Sequence, residues 1–142
     1  MMLFSRDKIY EEQMLSRHKK LLLFLNDFNK KKEIWTVIES YAIERILQLF
    51  LDALVALSRY IVQVCYQESI GRSRNPIKFL RSRSEIPQAD FETLMNVIGF
   101  RHVLVHDYLE VDRKQVRSIV IKKEYQIVDD WFMKWHDALQ QG

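Results

Sequence analysis

A single all-α domain spanning residues 1–142 is the fold class this sequence predicts, and three observations predict it. The chain holds only 3 glycines and 2 prolines in 142 residues, which leaves few breaks in the backbone. Apolar residues recur at three- and four-residue intervals, the spacing of one helical face. Hydrophobic residues make up 48% and charged residues 29%, an ordinary globular mix in a chain long enough for one core and too short for two. The expected architecture is an up-and-down bundle of four longer helices and one short one.

The first helix is expected over Asp7–Phe28, with Met14, His18, Leu21, Leu25 and Phe28 on one stripe and the polar run Asn29–Lys32 ending it. The second is expected from Glu33 to Ser69, uninterrupted by Gly or Pro. Its stripe reads Ile38, Ala42, Ile46, Leu49, Ala53 and Leu57, and Leu47, Leu51, Leu54 and Val55 widen the apolar arc. Such a helix would span roughly 54 Å at 1.5 Å per residue, longer than a compact domain of this size, so it should lie along another long helix or another subunit. Gly71 is a stop, and Asn75-Pro76 opens a short helix, Pro76–Leu80. Ser84–Ala89 reads as a linker. Asp90 caps a helix over Phe91–Val105 whose apolar face is Phe91, Leu94, Val97 and Ile98. Asp112 caps a last helix, Arg113–Leu139, with Val116, Val120, Ile127 and Trp131 inward.

Bulk features limit the function classes. One cysteine, Cys65, cannot build a disulfide framework, which suits a reducing compartment. Met1–Tyr10 has no apolar signal core and no run is expected to reach the roughly 18 residues of a membrane span, so the expected location is the cytoplasm. Net charge is only +3, but Arg72, Arg74, Lys78, Arg81 and Arg83 fall between Ser69 and Ser84 without an acidic residue. Setting those five aside from the 22 basic residues leaves 17 against 19 acidic ones, so the basic character is a local patch. It can meet nucleic-acid phosphates, or serve as a solvated loop.

No Gly-rich phosphate loop, cysteine pair or nucleophile elbow occurs. His102 and His106 have the spacing of a metal pair, but their segment lacks the Glu of zinc proteases and no third ligand is evident, so neither a metal nor a cofactor is expected. The chemistry concentrates in Arg101, His102, His106, Asp107 and Tyr108. Arginine can hold a phosphate with a two-pronged hydrogen bond, and histidine can move a proton near neutral pH. The two suffice to cleave RNA without a metal: a base takes the ribose 2′-hydroxyl proton, that oxygen attacks phosphorus, and a cation stabilises the added charge. Five residues at ~100° each put Arg101 and His106 ~140° apart on a continuous helix, so either the helix ends near His106 or a second subunit completes the pair. On these residues alone, a helix end whose His and Arg satisfy terminal carbonyls is the simpler explanation.

The wider context is more specific. Arg101, four residues, then His106-Asp107-Tyr108 resembles the R-x4-H-x-Y motif of HEPN toxins encoded beside MNT-type nucleotidyltransferase antitoxins. Gly99 stands just before the Arg and His102 just after it, the continuation Leu109-Glu110-Val111-Asp112 is similar, and Ala42-Ile43-Glu44-Arg45-Ile46-Leu47-Gln48 resembles that family's helix entry. The resemblance implies one HEPN domain that forms a homodimer with the two motifs facing each other. It implies a metal-independent endoribonuclease acting on RNA, with Arg101 on the scissile phosphate, His106 as acid–base residue and His102 assisting. Tyr108 would receive AMP from the antitoxin, placing negative charge where RNA phosphate should bind. The rival readings are a non-catalytic helical partner that docks a nucleotidyltransferase and its substrate, and a structural adaptor.

Overall fold

The computed structural model describes residues 3–31, 34–72, 74–83, 85–106 and 113–141, with only the backbone of His106 described. Six helices are present among them: α1 Lys8–Lys30, α2 Val37–Tyr66, α3 Pro76–Ser82, α4 Gln88–His106, α5 Arg113–Ile121 and α6 Gln126–Gln141. The all-α bundle is as expected. Asp7 is the N-cap of α1, its carboxylate accepting from the Tyr10 amide at 3.0 Å.

α2 begins later and ends earlier than the sequence suggested. Thr36 is its cap: its hydroxyl accepts from the Glu39 amide while the Glu39 carboxylate accepts from the Thr36 amide, a reciprocal box that fixes the first turn. At the far end Gln67 turns into the left-handed region with φ 54°. The buried face also differs. Ile38 and Ala42 are exposed and Ile46, Leu49 and Ala53 are half-buried, whereas Ile43, Leu47, Phe50, Leu51, Leu54, Val55, Leu57, Ile61 and Val62 make the core. Periodicity misled here because α2 is apolar nearly all round, being packed by α1, α3, α4 and α6 together. For the same reason it contains a stretch long and apolar enough to cross a membrane, with mean hydropathy 1.5, which the sequence reading missed; half of that stretch is buried inside the bundle.

α3 runs one turn-fraction past the expected Leu80 to Ser82, capped by the Asn75 side chain on the Ile77 amide at 2.9 Å. α4 starts at Gln88, so Asp90 lies in its first turn rather than at the cap, and the Phe91 amide bonds back to the Pro87 carbonyl. The linker is shortened accordingly. The expected last helix is two helices. Lys123 takes φ 55°, its amide bonds to the Val120 carbonyl at 3.2 Å, and the Glu124 amide bonds to the Ile119 carbonyl at 2.9 Å. This is a complete Schellman stop with lysine where glycine usually stands. The amide of Asn29 then donates to the carbonyls of Val120 and Ile121, closing the end of α5 from outside. Asp112, the expected cap of α5, lies outside the described residues.

α1 runs antiparallel to both α2 and α6. His18, wholly buried on α1, bonds Asp129 at 2.8 Å, and its ring stacks on Phe132 at 3.7 Å and on Phe50 at 4.8 Å. One turn nearer the start, buried Glu11 binds the Arg6 guanidinium at 2.7 Å and accepts from the Tyr60 hydroxyl and the Gln140 amide. The Arg6 guanidinium holds the Glu11 carboxyl below the usual carboxylate range. A depressed folded value means stability that is complete above the unfolded-state value and lost as pH falls through the folded one. Glu11→Ala strands Tyr60, Gln140 and Arg6 and is expected to cost about 3 kcal/mol, read as a lower urea midpoint with most of the difference gone in acid.

Candidate functional site

Helix α4 carries the site. Its apolar face, Leu94, Val97, Ile98 and Phe100, is buried, so the residues between are turned outward. Arg101 is half-exposed and its Nη1 donates to Asp52 of α2 at 3.3 Å. His102 is exposed beside it. The backbone stays helical to His106, so Arg101 and His106 leave the helix axis ~140° apart, as the spacing requires. The His106 side chain, Asp107 and Tyr108 lie outside the described residues, as does the continuation through Asp112.

Asp52 is the residue the sequence reading passed over. It is the one charged side chain between Arg45 and Arg59, in an otherwise nearly all-apolar stretch, and a lone carboxylate there is a legible signal of a partner. It also lies on the wall of a groove of about 380 Å³ between α1 and α2, with Arg17, Met14 and Leu49. Farther along α2, Glu44 of the helix-entry stretch is 3.7 Å from Arg113 at the start of α5. Burial pushes the Glu44 carboxyl up and Arg113 partly offsets it. The guanidinium of Arg113 also sits 4.9 Å above the Tyr41 ring. The two ends of the stretch that includes Tyr108 are thus moored on α2 eight residues apart, one by Asp52 and one by Glu44.

Gly99 is exposed in the middle of α4, and a Cβ there would meet nothing within 4 Å. Nothing in the chain itself demands glycine at a position where alanine would favour the helix by ~1 kcal/mol.

Arg72, Arg74, Lys78, Arg81 and Arg83 are all exposed, on the turn before α3 and on α3 itself. They do not join Arg101. The link between the two regions is Asn75, whose amide approaches the Met95 sulfur at 3.8 Å, six residues and roughly 9 Å before Arg101 along α4. Among the described residues, no three His, Cys, Asp or Glu side chains come together as metal ligands would.

The family model described as ribonuclease HepT-like matches residues 14–129, which include the whole Arg101–Tyr108 segment. The chain belongs to the HepT-like ribonuclease family. No curated protein matches it in sequence. Among solved structures it is similar to the cytosolic protein of unknown function YutE from Bacillus subtilis, with a TM-score of 0.64, 18% identity, and coverage of 89% of this chain and 90% of that one. At that identity the likeness concerns the fold. This HepT-like chain therefore has its candidate residues on the outward side of α4, beside a carboxylate and an open groove.

Proposed function

We propose that this HepT-like protein is a metal-independent endoribonuclease and the toxin of a two-protein system, acting as a homodimer. The observation that carries the reading is the outward Arg101, in the R-x4-H-x-Y segment that the ribonuclease family match spans. In the proposed reaction Arg101 holds the scissile phosphate and His106 takes the 2′-hydroxyl proton. The 2′-oxygen bonds to phosphorus, the bond to the 5′-oxygen breaks, and that oxygen leaves with a proton returned by imidazolium. The products are a 2′,3′-cyclic phosphate and a 5′-hydroxyl. His102, adjacent and exposed, adds a second donor. The cytosolic nucleotidyltransferase partner silences the site by moving AMP onto Tyr108.

Two features support the homodimer. Ile34, Val37, Ile38 and Tyr41 form an apolar strip 60–92% exposed at the start of α2, on the same helix as Asp52. Gly99 leaves room for a second backbone to approach α4 closely. Arg101 and His106 diverge within one chain, so two facing copies would supply the pair that one lacks. Incubating the purified protein with end-labelled RNA in excess EDTA is expected to yield fragments ending in cyclic phosphate, from a species of dimer mass. Cleavage that stops with chelator would refute the metal-free chemistry, and an intact RNA with a tightly bound nucleotidyltransferase would favour the docking-partner alternative.

A further inference from the structure

The five exposed cations before and along α3 are built into a cation–aromatic shelf. The guanidinium of Arg83 lies 4.7 Å above the Phe79 ring and 5.9 Å from Tyr66, and that of Arg81 lies 4.8 Å above Phe91. Phe79 and Tyr66 meet edge to face at 5.5 Å. Next to them a groove of about 390 Å³ is lined by Ile70, Arg74, Asn75, Lys78 and Phe79. The turn that shapes it is braced from below: the Arg59 guanidinium donates to the carbonyls of Ile70 at 2.9 Å, Gly71 at 3.3 Å and Arg74 at 3.4 Å. None of the ion pairs among the described residues involves the five cations. The nearby carboxylate of Glu85 is taken by the Tyr66 hydroxyl.

We propose that this shelf and groove are an RNA subsite separate from the cleavage residues, gripping single-stranded RNA by its phosphates and by stacking of a base. It rests on the ribonuclease reading for the identity of the substrate. Arg74 and Lys78 face the groove as phosphate ligands, while a guanidinium lying flat on an aromatic ring turns its other face outward, where a base can stack. An acidic protein surface would use the charges but has no use for the stacked faces, which favours RNA. Asn75 on Met95 places the shelf alongside α4, so one strand can run from it to Arg101.

The test uses the full chain carrying His106→Ala, so that RNA stays intact, and a fluorescein-labelled single-stranded oligoribonucleotide titrated across a series of salt concentrations. Replacing Arg74, Lys78 and Arg83 together by Gln removes surface charge without disturbing the core. It is expected to lower the salt slope of binding by about 2 and the affinity about 10²-fold near 0.1 M salt, from ~0.7 per lost phosphate contact. Phe79→Leu is expected to weaken binding about tenfold with the slope unchanged, as loss of a stacked base does. An unchanged slope in the triple variant overturns the subsite. So does a triple variant that keeps its RNA affinity but loses the nucleotidyltransferase, which would assign the patch to protein. Cleavage by the chain with His106 intact is scored separately: RNA bound through the patch but never cut would sink the ribonuclease reading and leave the subsite standing.

Discussion

His106→Ala lowers RNA cleavage by about 10²–10⁴-fold and abolishes growth inhibition, while the helical circular dichroism and the unfolding midpoint stay those of the parent protein. The size follows from losing a proton-transfer group at the reacting atoms. The unchanged fold follows from position, because α4 buries Leu94, Val97, Ile98 and Phe100 and has ended its ladder at His106. Arg101→Ala is expected to lose a comparable amount, since a fixed cation on the added phosphate charge is usually the largest single contribution. Its structural cost is small: the pair with Asp52 is 3.3 Å long with both side chains about 40% exposed, and such pairs contribute under about 1 kcal/mol. Asp52→Asn serves as the control, expected to leave stability within that margin. A His106→Ala protein that cuts RNA at the parent rate would remove the acid–base assignment.

Tyr108→Phe, incubated with the partner nucleotidyltransferase and ATP, is expected to take up no AMP, whereas the parent chain gains whole AMP units on one peptide. In this transfer the phenol oxygen bonds to the α-phosphorus, its proton goes to a base on the transferase, and pyrophosphate leaves. The other tyrosines narrow the choice. Tyr125 is wholly buried with its hydroxyl on Asn26, and burial pushes it up to about 12. Tyr60 and Tyr66 are committed to Glu11 and Glu85. Tyr41 is the genuine competitor, 60% exposed and lying under Arg113 where α5 begins. Tyr41→Phe should leave the mass gain intact. If that variant loses it and Tyr108→Phe keeps it, the modified residue has been misassigned while the cleavage chemistry is untouched.

Much of the fold was legible because capping and spacing speak locally. Asp7, Asn75-Pro76 and the stripe of Leu21 and Leu25 announce themselves in sequence and behave as expected. What escaped did so for identifiable reasons. The stop between α5 and α6 is made by Lys123 in the left-handed region, and without a glycine no composition signal marks it. The inner face of α2 could not be chosen by periodicity when four helices claim different sides of it. At the site, Arg101 and His102 could be named from the motif, but their setting depends on Asp52, 49 residues away in sequence and brought close by the packing of α4 on α2.

The stacked histidine in the core also bears on when the molecule becomes active. Synthesis proceeds from the amino end, so α1 leaves the ribosome carrying His18 and Glu11 long before their partners on α6 exist. Until Asp129 and Phe132 are added, the imidazole has only Phe50 to lie against, and until Gln140 arrives Glu11 lacks one of its donors. The residues proposed to cut RNA are translated before α6 and stand on a bundle that α6 alone completes. A chain interrupted after Arg113 would hold the whole motif and an unfinished interior, so full-length translation itself is a checkpoint on toxicity.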